Sequence, residues 1–174
     1  MADKSPIEEI AEIISGNDQN VMELVKSCVY NTDTYFRDNS SSYEEHGIYI
    51  DDQDSYENDE IPWIGMNDIL EDNGYVYGID SSSYLEDYIN AVESCKAFGL
   101  NGLSIDEGWF DEEDEILTWF EVLDEKWADQ GFCIAAIDFG GDDYLLFPCP
   151  VDILEKLDIL AQEAGYSIDY AKNM

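Results

Sequence analysis

Basic residues are nearly missing from this chain. Lysine and arginine together number seven, against 42 aspartates and glutamates, giving a formal charge of −35 at pH 7 and an isoelectric point near 4.1. Such a chain repels phosphate backbones, so nucleic acid is not expected as a direct ligand. It also repels anionic membrane surfaces. A basic partner or bound cations would suit it. The plainer explanation of the charge is solubility, or adaptation to a salty interior. Long apolar runs are absent as well. Met1 to Ser5 is polar, no signal-peptide core is visible and no stretch approaches the length of a membrane span. The expected location is the cytoplasm.

Histidine occurs once, as His46 in an acidic stretch. An exposed loop side chain is expected there, since one lone histidine is a poor basis for acid–base catalysis. The four cysteines, Cys28, Cys95, Cys133 and Cys149, form no close pair along the chain and have no histidine nearby. That spacing indicates buried reduced thiols, neither a disulfide frame nor a zinc site. No phosphate-binding glycine loop, HExxH pair or nucleophile elbow appears.

What is present is a chain of 174 residues with 45% hydrophobic content, enough for one core and a small lobe. Its best-defined stretch runs from Cys133 to Pro150. Two apolar runs, CIAAIDF and YLLFP, flank Gly140-Gly141-Asp142-Asp143, which predicts a β-hairpin. Residues 1–30 read as an N-terminal helical segment. Ile7, Ile10, Ile13 and Ile14 recur at helical spacing between Ser5-Pro6 and Gly16; Asn20 then caps a second helix with Val21, Leu24, Val25 and Cys28 on one face. Residues 31–60 are rich in Asp, Asn, Ser and Tyr, and read as an acidic loop with little to bury, disordered more than functional.

Residues 61–174 read as an α+β domain. A helix holds Trp63, Met66, Ile69 and Leu70 and stops at Asn73-Gly74, and a strand follows over Tyr75–Ile79. Ser81 to Ser83 cap a helix in which Tyr84, Leu85, Tyr88, Ile89, Val92 and Cys95 repeat at three and four and which Gly99 ends, and Leu103–Ile105 forms a brief strand. Asp106–Glu115 carries seven acidic residues in ten, ahead of a helix with Ile116, Trp119, Phe120, Leu123 and Trp127 on one face. Carboxylates at a helix N-terminus favour its dipole, which explains the run without a ligand. Pro150 opens a last helix through Ile153, Leu154, Leu157, Leu160 and Ala161, closed by Gly165, and Tyr166–Tyr170 adds an edge strand. The expected architecture is a small antiparallel sheet with a central hairpin, packed by about five helices.

Candidate chemistry is confined to carboxylates. Asp138, Asp142 and Asp143 could hold a cation, although Asp and Gly are what a tight turn requires. Asp51, Asp52 and Asp54 resemble the start of a calcium loop, but Tyr56 and Pro62 stand where its glycine and bidentate glutamate belong. Asp106, Glu107 and Trp109 place carboxylates beside an aromatic ring, a pattern suited to a contact surface. The candidate binding surface is therefore Asp51, Asp52, Asp54, Asp106, Glu107, Trp109, Asp111 and Glu112.

The C-terminal half also carries a resemblance. A helix with Trp119 and Trp127, a strand ending Ala136-Ile137-Asp138, then Asp143-Tyr144-Leu145-Leu146 and a Pro-led helix resemble a family of bacterial proteins known only as a domain of unknown function. The likeness runs from about Trp63 to Tyr166. It implies an α+β domain and supplies no activity, cofactor or catalytic residue. Two readings of function follow. In the first the chain is a non-enzymatic binding protein whose acidic surface meets a basic protein, as toxin-neutralising immunity proteins do, with neither cofactor nor catalytic set. The alternative is a metal-dependent enzyme using clustered Asp and Glu.

Overall fold

The computed structural model describes residues 3–56, 59–138 and 143–174, and its chain divides into two compact units. The first comprises residues 1–73 and 160–165, the second residues 74–159 and 166–174.

The first unit is helical. In α1 (Pro6–Ser15), the Ser5 hydroxyl accepts the Ile7 N–H, and Gly16 ends the helix at a φ of 63°, where a side chain would be strained. Ile7, Ile10 and Ala11 are buried on its inner face. The second helix, α2 (Gln19–Tyr30), is capped by Asp18, not by Asn20: its carboxylate accepts the N–H groups of Asn20 (2.9 Å) and Val21 (3.2 Å). Met22 takes the inward place expected of Leu24, which is exposed. The third main helix is α5 (Glu60–Asp72), which buries Trp63, Met66, Ile69 and Leu70.

Within the expected loop of residues 31–60, residues 31–56 depart from that reading. They hold α3 (Thr32–Asp38), α4 (Ser40–Glu45) and a 3₁₀ turn over Ile50–Ser55. Phe36, Tyr43, Ile48 and Ile61 form a core cluster of their own, with the Phe36 and Tyr43 rings edge to face at 4.8 Å. The stretch has few apolar residues, but each aromatic ring buries roughly 150–250 Å². Two large rings anchor what a count of hydrophobic residues undervalues.

The second unit carries the sheet. Its strands are β1 (Tyr77–Asp80), β2 (Phe132–Ile137), β3 (Asp143–Pro150) and β4 (Ile168–Tyr170), all antiparallel in the order β1-β3-β2-β4. The expected hairpin is present as β2 and β3, in register from Phe132 opposite Pro150 to Ile137 opposite Leu145; its turn, with Asp142, lies outside the described residues. Pro148 sits in an inner strand, yet β1 pairs only with residues 143–146 of β3. Proline's missing N–H therefore falls where the ladder on that side has ended.

Helix α8 (Ile116–Trp127) buries the five expected side chains, Ile116, Trp119, Phe120, Leu123 and Trp127. They meet Ile134, Ala136 and Leu146 of the sheet and Tyr88 of α6 (Leu85–Ser94) in the unit's main core. Tyr88 stacks on Trp119 at 5.8 Å and meets Phe120 edge-on at 5.6 Å. Three expectations are corrected here. The serines do not cap α6: Tyr84 is its N-cap, and Ser82 donates N–H and O–H to Asp80 (2.6 Å each), closing the preceding turn. The helix stops at Cys95, not Gly99, and a short α7 (Lys96–Leu100) follows. Leu103–Ile105 forms no strand among the described residues. The last helix, α9 (Val151–Glu163), begins after Pro150, with Leu154 and Leu157 buried.

Candidate functional site

The acidic stretch after α7 is held from beneath by two tryptophans of α8. The Trp127 indole N–H donates to the Ser104 carbonyl at 3.0 Å, and the Trp119 indole N–H donates to the Asp111 carbonyl at 2.8 Å. A buried indole needs a partner for its N–H, and here both partners are backbone of the same segment. Between these pins Asp106 and Asp111 stabilise local turns, accepting the Gly108 and Glu113 N–H groups at 2.9 Å each. Trp109 packs against the core and lies 5.5 Å from Lys126 Nζ. The seven acidic side chains from Asp106 to Glu115 are exposed.

This segment and α6 border a groove of about 960 Å³. Its apolar lining is the buried Leu85 and the partly buried Ile89 and Ile105, and Tyr84 is 81% exposed beside them. Leu85 and Ile89 are four residues apart and so share a face of α6; Glu86, Asn90 and Glu93 share the neighbouring face by the same geometry. Glu86 and Glu93 therefore border the groove from the helix, and Glu107, Glu112 and Glu113 from the acidic segment. No lysine or arginine lines it among the described residues. A second groove of about 480 Å³ shares Tyr84 and Glu112 with the first, and is lined further by Asp114, Glu115, Leu117 and Tyr144.

Of the expected surface, Glu107 and Glu112 line the larger groove, and Asp106, Trp109 and Asp111 belong to the pinned segment that carries them. Asp51, Asp52 and Asp54 are exposed on the 3₁₀ turn of the first unit. The α6 wall and its apolar residues were not among the expected site residues, because Leu85 and Ile89 read simply as a core-facing stripe. Tyr84, expected as the first residue of that stripe, is instead the exposed N-cap of α6.

His46 is not the exposed loop residue expected. It caps the C-terminus of α4, is half-buried, and its Nε2 lies 2.9 Å from Asp68 Oδ1 of α5. Burial raises the Asp68 carboxyl above its ordinary range, while His46 opposes the rise. The cysteines are buried free thiols. Although distant along the chain, Cys133 and Cys149 stand directly opposite each other on β2 and β3. Desolvation pushes the Cys149 thiol up to about 12 and raises Cys133 too. Among the described residues no three His, Cys, Asp or Glu side chains converge to hold a metal ion. Asp138 and Asp143 are described; Asp142 of that set is not. Among the described residues no helix is long and apolar enough to cross a membrane.

Fold and groove together define an α+β protein with an acidic face on its sheet-bearing unit. Its sequence matches the family described as Domain of unknown function (DUF6630) over residues 6–171. The chain belongs to that family, and the match extends well beyond the C-terminal resemblance read from Trp63 to Tyr166. Neither the curated proteins nor the solved structures gave a match.

Proposed function

We propose that this chain is a non-enzymatic binding protein that captures a basic protein partner, working in the cytoplasm of a bacterium as a toxin-neutralising immunity protein does. The observation that carries this reading is the pinned segment Asp106–Glu115, whose seven exposed carboxylates are presented on an ordered support. An ordered acidic surface holds its charges in place before the partner arrives, so less entropy is lost on binding. The surrounding charge of −35 speeds the encounter with a cationic surface. Solubility alone would call for dispersed charge and gives no reason for two buried indoles to hold one acidic strip.

The test is capture from a lysate of the source organism, on the immobilised full chain, at about 20 mM salt, where screening is weak. The comparison is a variant carrying Asp106→Asn, Glu107→Gln, Asp111→Asn and Glu112→Gln. Asparagine keeps the oxygen that accepts the turn N–H at positions 106 and 111, so the segment should keep its shape. The expected result is one basic protein, held in a fixed ratio, released by high salt and not retained by the variant. Equal retention by both chains, or no basic protein retained, refutes the reading.

A further inference from the structure

We propose that the groove bordered by α6 and the segment 105–113 seats an amphipathic basic segment of the partner, with apolar side chains inside the groove and Lys or Arg head groups along its two acidic borders. The inference rests on the reading of the chain as a receptor for a basic protein, and it names the site and the form of the ligand.

The groove itself comes first. At about 960 Å³ it is at the upper end of the range typical of ligand pockets, and too large for a bare ion. Its apolar surface, supplied by the partly buried Ile89 and Ile105, lets a ligand bury hydrocarbon. Tyr84, at 81% exposure, is a large ring at the rim with little cover of its own. Tyrosine in such a place offers broad contact area at low entropy cost, as interface anchors do.

Charge complementarity then selects the occupant. Glu86 and Glu93 lie on one side of the groove, and Glu107, Glu112 and Glu113 on the other. None of the five is in an ion pair among the described residues. Of the unit's four lysines, Lys96 lies over the Tyr75 ring, Lys126 over Trp109 and Lys172 beside Asp124, and Lys156 does not line the groove either. A hydrophilic polycation would leave the apolar surface wet, and an apolar peptide would leave five carboxylates partly desolvated without partners. A segment alternating long cations with aliphatic or aromatic side chains satisfies both. Lysine and arginine stems add hydrocarbon contact while their heads reach outward to the carboxylates.

The experiment titrates the full chain with fluorescently labelled synthetic peptides at about 0.15 M salt, where charges beyond roughly 8 Å are largely screened. A Lys/Leu amphipathic peptide is compared with a Lys/Ser peptide of equal charge and a Glu/Leu peptide of equal apolar content. Two charge-matched variants are compared: Glu86→Gln/Glu107→Gln/Glu112→Gln in the groove, and Asp51→Asn/Asp52→Asn/Asp54→Asn in the other unit. Tyr84→Ser tests the rim, and since serine is a favoured N-cap the helix should persist. The Lys/Leu peptide should bind more tightly than both others. The groove variant should lose about tenfold in affinity, the order expected for three exposed ion pairs. Tyr84→Ser should lose several-fold, and the Asp51/52/54 variant should stay within about twofold, its charges lying outside the groove. Equal weakening by the two charge variants, or equal affinity for Lys/Leu and Lys/Ser peptides, overturns the groove and leaves the acidic-surface reading standing. Failure of every cationic peptide to bind, even at low salt, overturns both.

Discussion

Gly65 is the position where one added carbon should do most damage to the helical unit. It lies inside α5, and an ideal Cβ there would fall 2.5 Å from the Tyr43 hydroxyl oxygen and closer still to Cys28 Sγ. Neither neighbour can yield freely. The Tyr43 hydroxyl donates to the Ile61 carbonyl at 2.9 Å, and Cys28 Sγ lies 3.5 Å from the same hydroxyl in the interior. Gly65→Ala therefore overpacks the contact, at about 1–3 kcal/mol. Displacing the hydroxyl also strains a buried hydrogen bond, whose loss costs about 1–3 kcal/mol. Alanine returns about 1 kcal/mol of helix propensity. The balance is a net destabilisation of about 3 kcal/mol. In a Cys28→Ala/Tyr43→Phe background the two closest atoms are gone and a Tyr35 ring carbon at 3.3 Å remains, so the same change should cost no more than about 1 kcal/mol once helix propensity is returned. The assay is urea denaturation followed by circular dichroism. Amide exchange in α2 and α5 supplies a local reading, because two compact units need not unfold together. A Gly65→Ala chain as stable as wild type, or an equal loss in both backgrounds, refutes the argument.

Two further predictions concern titratable groups. Asp68 has its carboxyl raised by burial, so the folded state binds a proton more readily than the unfolded state just above the ordinary carboxylate range. Its contribution is fully present below the unfolded value and is lost as pH rises through the folded one. Relative to Asp68→Asn, the wild type should therefore lose stability as pH rises through that window, measured by urea melts at closely spaced pH; a constant difference, or one of opposite sign, rejects the assignment. Cys28 and Cys95 are pushed up to about 11 and about 12 by burial, and Cys133 and Cys149 are raised likewise. A thiol reagent at mildly alkaline pH should label none of the four rapidly in the native chain and all of them in denaturant; fast native labelling of any one contradicts its burial.

The capture and peptide experiments bear on different levels of the same idea. The lysate experiment asks whether an ordered acidic surface selects a basic protein. The peptide series asks whether one groove on that surface does the selecting. Attraction spread over a charge of −35 would draw many cations weakly, whereas a groove with hydrocarbon between its carboxylates discriminates by pattern.

Local periodicity made much of this fold legible in the sequence. The inner face of α8 matched residue for residue, because a helix that buries one stripe must repeat apolar positions at three and four. The hairpin of β2 and β3 followed from two apolar runs separated by turn residues. The acidic candidates at 106–112 were legible by composition alone. Tertiary structure decided the rest. Phe36 and Tyr43 give residues 31–56 a core through contacts with each other and with Ile48 and Ile61, which no local pattern reveals. Cys133 and Cys149 became neighbours only through strand register. The acidic run became an ordered border because Trp119 and Trp127 of a later helix hold its carbonyls, and Leu85 and Ile89 became part of a groove only when Ile105 came to face them. Periodicity reports which face of an element avoids water. What that face meets depends on residues far along the chain, and so is decided only when the chain folds.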